Sequence, residues 1–97
     1  MTMSSLLASR IRINDDVLSQ DLNGEVVLLN LKTGVYFGLD PIGSRVWELF
    51  AGNGEVARIL EVLLSEYDVP RDRLSEDLVA LIRKLQEHQL VTVTGLA

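Results

Sequence analysis

From Val17 onward the chain reads as short β-compatible runs broken by turn residues, "VLSQDLNGEVVLLNLKTGVYFGL". Asn23-Gly24 is a strong hairpin signal, because both positions tolerate the positive φ that a two-residue turn requires. Lys32-Thr33-Gly34 makes the second break. Two short connections predict an antiparallel meander with Glu25 to Leu31 in the middle and Val35 to Leu39 outside. The middle run, "VVLLNL", is apolar at nearly every position, so it expects full cover on one face and partial cover on the other. Ahead of this, residues 1–16 read as a flexible lead-in, with one short extended piece at "RIRIN" where Ile11 and Ile13 alternate with Arg10 and Arg12.

After Leu39 the period changes from two to about 3.6. Asp40 is placed to cap a helix and Pro41 to fill its first turn, where a missing N–H costs nothing. This predicts a helix over Pro41 to Ala51 with Val46, Trp47 and Phe50 inward, stopped by "GNG" at Gly52 to Gly54. A second helix over Glu55 to Tyr67 carries Val56, Ile59, Leu60, Leu63, Leu64 and Tyr67 as an unbroken apolar stripe. "DVPRDRLSED" makes the next corner, with Asp72 or Ser75 as caps. A third helix over Arg73 to Gln89 buries Leu74, Leu78, Leu81, Ile82 and Leu85. Leu90 to Val93 closes the chain as an extended tail able to pair with a strand. Together these make a small α+β module of winged-helix type, a three-stranded antiparallel meander followed by three helices, with the domain placed over 17–93.

Composition narrows the functions available. Ninety-seven residues with 47% hydrophobic content suit one compact domain with little room for an enclosed active site. A net charge of -5 and a pI near 4.7 oppose a charge-driven grip on nucleic acid. The chain has no cysteine, hence no disulfide, thiolate nucleophile or thiolate metal site. The longest unbroken run of strongly apolar residues, Val26 to Leu29, is too short for a bilayer, and "MTMSSLLASRIR" lacks the apolar core of a signal peptide. The expected compartment is the cytoplasm.

Candidate chemistry is sparse. His88 is the only histidine and sits near a helix end, where its charge suits the dipole. With one histidine and no cysteine, a zinc site would draw mostly on carboxylates, which zinc seldom uses alone. "KTG" at Lys32 to Gly34 matches one β-lactamase triplet, but no Ser-x-x-Lys accompanies it. "GNG" opens like a phosphate loop yet follows a helix and lacks a basic partner. The carboxylates Glu55, Glu61, Glu66, Glu76, Asp77 and Glu87 read as solvated helix faces. No catalytic residue, metal or cofactor is expected. A DNA-binding winged helix would put its third helix in a groove, but Asp68, Asp72, Glu76, Asp77 and Glu87 accompany that helix against Arg71, Arg73, Arg83 and Lys84.

The outermost strand is the unusual feature. An edge strand rich in apolar side chains invites addition of another strand, a hazard unless addition is its purpose. Strand addition is a recognised mode of peptide binding, with main-chain bonds for affinity and pockets for selectivity. If the third helix flanks that edge, its less buried side (Asp77, Ala80, Leu81, Lys84) and the strand enclose a groove. The alternative is that Tyr36 and Phe37 simply cover the core from both faces.

The order G-x-V-x-L-x-x-x-x-x-G-x-Y-x-x-L-x-x-x-G-x-x-x-W is met by Gly24, Val26, Leu28, Gly34, Tyr36, Leu39, Gly43 and Trp47. With "SEYDVP", "LSEDLVALIRKL" and the closing "HQLV", it resembles the PqqD-like family over about Val17 to Val93. Tyr36, the Leu39-Asp40-Pro41 step and the Trp47 helix are most similar to free-standing members encoded with lasso peptides. The resemblance implies a RiPP precursor peptide recognition element, non-catalytic and cofactor-free. It would bind the leader segment of a precursor peptide and present it to a separate leader peptidase resembling a cysteine protease. By that resemblance, the leader adds to Val35, Tyr36, Phe37, Gly38 and Leu39 and packs on Leu74, Asp77, Leu78, Leu81 and Lys84. A PqqD-like partner of another modifying enzyme, such as a radical SAM protein, and a winged-helix DNA-binding regulator are the alternatives.

Overall fold

A computed structural model describes residues 2–95. The elements run α1 (Met3–Leu7), β1 (Ser9–Ile13), β2 (Val17–Leu22), β3 (Glu25–Asn30), β4 (Tyr36–Gly38), α2 (Pro41–Ala51), α3 (Val56–Glu66), α4 (Arg71–Glu87) and β5 (Val91–Gly95). The expected antiparallel meander is present in the order β2-β3-β4, so β4 is an edge strand. Asn23 at φ 58° and Gly24 at φ 89° form the tight turn between Leu22 and Glu25, which pair with each other. On β3, Val26, Leu28 and Asn30 are buried while Val27 and Leu29 are half-buried. That is the two-sided pattern its composition predicts.

The helices follow their stripes closely. Asp40 caps α2 through Oδ1, which accepts from Gly43 N at 2.7 Å, and Pro41 occupies the first turn. Val46, Trp47 and Phe50 are buried, the last two rings meeting edge to face at 6.4 Å. On α3, Val56, Ile59, Leu60 and Leu63 are buried. Helix α4 begins two residues before the expected Arg73. Pro70 takes the cap position without a side-chain bond, leaving Asp72 in the first turn and Ser75 buried instead of capping. His88 ends it, and its Nδ1 donates to the Lys84 carbonyl at 2.8 Å.

The segment before Val17 departs from the expected flexible lead-in. Strand β1 pairs antiparallel with β5, from Ser9 opposite Gly95 to Ile13 opposite Val91. Leu6 and Ile11 join the core at 0% and 2% exposure. Burial of these two side chains is the physical reason the segment folds, and it gives the tail the strand partner it lacked. The "GNG" that ends α2 also seats β1. Gly54 O accepts from Ile11 N at 2.7 Å, and a Cβ at Gly54 would lie 2.3 Å from Ile11 O. Only glycine, here at φ 78°, permits that approach.

Arg45 ties α2 to α3. Its Nε and one terminal nitrogen donate to the two carboxylate oxygens of Glu66 at 2.9 and 2.7 Å, and another reaches Glu48 at 2.9 Å. These donated bonds hold the Glu66 carboxyl below its ordinary value. A depressed folded pKa contributes stability above the unfolded pKa and loses it as pH falls through the folded one. The gap in melting temperature between wild type and Glu66→Gln should therefore be small but open at neutral pH. It should close on acidification below about pH 4.5, the ordinary carboxylate range. Thermal melts across that range check it. Among the described residues, no helix is long and apolar enough to cross a membrane.

Candidate functional site

The register of β4 decides what its edge offers. Leu39 N donates to Val26 O at 2.8 Å and Asn30 N to Val35 O at 3.0 Å, with Phe37 opposite Leu28 between them. Backbone groups alternate in direction along an antiparallel strand. Phe37 therefore bonds inward to β3, and the N–H and C=O groups of Tyr36 and Gly38 turn to the open edge. The regular strand is shorter than the expected Val35 to Leu39, although those two residues still bond to β3 at either end.

Side chains alternate as well. Phe37 lies on the helix side, half-buried, its ring 5.2 Å from His88 in an edge-on contact. Tyr36 points the other way and is 70% exposed.

Between the β4 edge and α4 runs a groove of about 320 Å³. The strand contributes Phe37, Gly38 and Leu39, and α4 contributes Leu74, Asp77, Leu78, Leu81 and Lys84. These positions recur every three or four residues, so they share one face of α4. Leu74 and Leu78 are buried in the floor, Leu81 is half-buried, and Asp77 and Lys84 stand exposed at the rim.

Of the strand positions expected here, Val35 and Tyr36 do not line the groove. Tyr36 offers the edge its backbone and puts its side chain on the opposite face. The sequence reading missed the wall supplied by α2 and α3: Asp40, Ile42, Gly43, Val46 and Leu63. One signal for it was present. Ile42 lies off the inward stripe of α2 yet is apolar, and it is 47% exposed.

Two buried polar residues set the walls. Asn30, 2% exposed, donates from Nδ2 to His88 O and Gln89 O, both at 3.1 Å. Its Oδ1 accepts from Lys32 N at 2.9 Å and Thr33 N at 3.2 Å. It thus fixes the β3–β4 turn against the end of α4. Ser44 Oγ accepts from Val26 N at 2.8 Å and donates to Leu39 O at 3.3 Å, fixing α2 against the far end of β4.

The other face of the sheet is largely apolar, with Gln20 and Glu25 its polar residues, and only partly covered. Leu18, Leu29 and Tyr36 stand in one row across the three strands. Leu18 is 55% and Leu22 49% exposed. Among the described residues, no group of acidic or histidine side chains could hold a metal ion.

Comparison with known proteins gives consistent matches. The structure of TbiB1, solved in complex with the TbiA(beta) leader peptide, superposes with a TM-score of 0.79 at 40% identity, covering 82% of this chain and 93% of that one. A lasso peptide synthetase B1 complexed with the leader peptide shares the fold at a TM-score of 0.78 and 23% identity, over 86% and 98% of the two chains. No curated protein matches the chain. The model of the family described as Coenzyme PQQ synthesis protein D (PqqD) matches residues 25–91. Since that span runs from β3 through all three long helices to the start of β5, the chain belongs to the PqqD family.

Proposed function

We propose that this chain is a non-catalytic recognition protein for the leader segment of a ribosomally made precursor, of the lasso peptide class. The observation that carries this reading is the free edge of β4 beside an apolar groove. A leader strand would take up the outward backbone groups of Tyr36 and Gly38 and send alternate apolar side chains onto Leu78 and Leu81. The 40%-identical TbiB1, solved with a leader peptide, supports it. Ordering a disordered peptide costs about 2 to 5 kcal/mol, so affinity rests on a few apolar anchors. Asp77 and Lys84 at the rim would act on rate and selectivity. The protein would act in the cytoplasm, where the precursor is translated. The test is a titration, by fluorescence anisotropy, of labelled peptides from short reading frames beside the gene, with duplex DNA as control. Saturable, salt-resistant binding of one leader supports the role. Binding to DNA alone, steeply lost with salt, overturns it.

Presentation of the leader to a separate cysteine-protease-like peptidase needs a second surface. The outer sheet face suits it, being largely apolar, with Leu18, Leu22 and Tyr36 exposed and Leu29 half-buried among them. A leader added at β4 becomes the fourth strand of that face, so a partner seated there would touch protein and leader together. Leu18→Asp should then leave leader affinity within about twofold, since Leu18 is on the far strand, and slow leader removal at least tenfold, about the 1.4 kcal/mol expected from one interface anchor. A reconstituted cleavage assay with the partner peptidase checks this. Unchanged cleavage would move the docking surface elsewhere.

A further inference from the structure

The groove continues past the end of β4. A second cavity, also about 320 Å³, shares Gly38, Leu39 and Asp40 with the first and adds Leu22, Glu25, Val26 and Val27. It opens because β2 and β3 outrun β4: Leu22 and Glu25 pair with each other beyond Val27, the partner of Gly38. A strand added to β4 alternates its side chains as β4 does. One set enters the groove on the helix side. The other lies toward the outer face, where Gly38 offers no side chain and this cavity lies open.

Nothing in the chain itself calls for glycine at position 38. It is absent from the residues with positive φ, and a Cβ built there would meet no atom within 4 Å. Glycine within a strand weakens it and often marks the close approach of a ligand. The lining adds chemistry. Leu22 and Val27 give an aliphatic wall, Glu25 and Asp40 supply two carboxylates, and no Lys or Arg is among the lining residues. A long basic side chain fits both parts, with methylenes on the wall and its charge at the rim.

We infer that this second cavity is a specificity subsite for an Arg or Lys of the bound leader, held next to the strand-paired residues across Gly38. The inference rests on the leader-binding reading above. Its probe is a phage-displayed library of random peptides long enough to span the sheet edge. The library is selected in parallel on the full-length wild type, on Leu81→Asp and on Glu25→Lys. Wild type should enrich apolar, β-prone sequences with a basic residue at one fixed offset. Glu25→Lys should enrich the same apolar pattern without that residue, and Leu81→Asp should enrich neither.

The best wild-type peptide is then synthesised. Replacing its basic residue by Ala should weaken binding to wild type about fivefold at low salt. The same change should not weaken binding to Glu25→Lys, where it removes a like-charge contact. Gly38→Ala should melt no lower than wild type and bind the basic peptide less well. The same basic residue at the same offset from both wild type and Glu25→Lys would overturn the subsite and keep the groove. So would a peptide whose basic residue is dispensable. No enrichment on wild type, or enrichment that survives Leu81→Asp, would overturn the groove and the subsite with it. Should Glu25→Lys fail to fold, the peptide substitution against wild type decides alone.

Discussion

Leu81→Asp is expected to weaken leader binding about a hundredfold or more while the protein stays folded at room temperature. Leu81 is half-buried and lines the groove from α4. A leader side chain seated against it would bury roughly one leucine's worth of apolar surface on the protein side, about 1.5 to 2 kcal/mol. The substitution removes that contact and places a carboxylate where the leader would desolvate it, adding at least about 1 kcal/mol. Together these approach 3 kcal/mol, or about two powers of ten in Kd. The free protein loses less, because in the absence of a ligand water reaches this edge of the helix. Packing against the core, helix propensity and the new like charge one turn from Asp77 sum to about 1.5 kcal/mol. That lowers Tm by about 10 °C for a chain of this size. Anisotropy titration beside a circular dichroism melt separates the two effects. An affinity within twofold of wild type, with the fold intact, would exclude the groove as the binding site.

What sequence alone could place follows from how local each determinant is. Helix α2 is marked by an adjacent Asp-Pro cap and α3 by a stripe of one period, so both lie close to where they were expected. The α4 side of the groove was partly legible: the helical period pointed to Asp77, Leu81 and Lys84, which line it, and to Ala80, which does not, while Leu74 and Leu78 read as core and were assigned to the groove only through the family resemblance. Helix α1 and strand β1 were not legible. A helix of five residues has no period to read, and β1 exists through β5 at the opposite end of the chain. Tyr36 and Phe37 were ambiguous because both neighbours are aromatic, and the pairing of Phe37 with buried Leu28 decides which one faces the helices. Val46 and Leu63 looked like core and are core. A buried side chain can also floor a groove, and no one-dimensional pattern distinguishes the two. Asn30 was hidden inside "VVLLNL", with partners 58 and 59 residues away.

Asn30→Ala carries the largest expected loss of stability. The amide makes four bonds to backbone groups, two as donor and two as acceptor. Alanine leaves the His88 carbonyl and two N–H groups to find water at a site where Asn30 itself is 2% exposed, while Gln89 O keeps the bond it accepts from Asn14 Nδ2 at 2.7 Å. At about 1 kcal/mol for each bond lost, and somewhat less where water can enter, the cost is about 3 kcal/mol. That is a large share of the roughly 5 to 15 kcal/mol that holds a domain of this size, and Tm should fall by about 15 to 20 °C. Asn30→Asp separates the donors from the acceptors. It keeps an oxygen for Lys32 N and Thr33 N but turns the other toward two carbonyl oxygens, which disfavours the ionised form and raises the folded pKa of the new carboxyl. A raised folded pKa means that the stabilising, protonated state is lost as pH rises, so the deficit of Asn30→Asp relative to wild type should grow from about pH 4 to pH 7. The deficit of Asn30→Ala should stay constant over the same range. Denaturant unfolding of the three proteins at both pH values reads this directly, and equal, pH-independent stability would show that Asn30 does not hold the β3–β4 turn to the end of α4. Because that turn and that helix end carry Phe37 and His88, a loosened clamp would also widen the groove. Leader peptide should therefore raise the Tm of Asn30→Ala by less than it raises that of wild type, the difference reporting the affinity lost with the clamp.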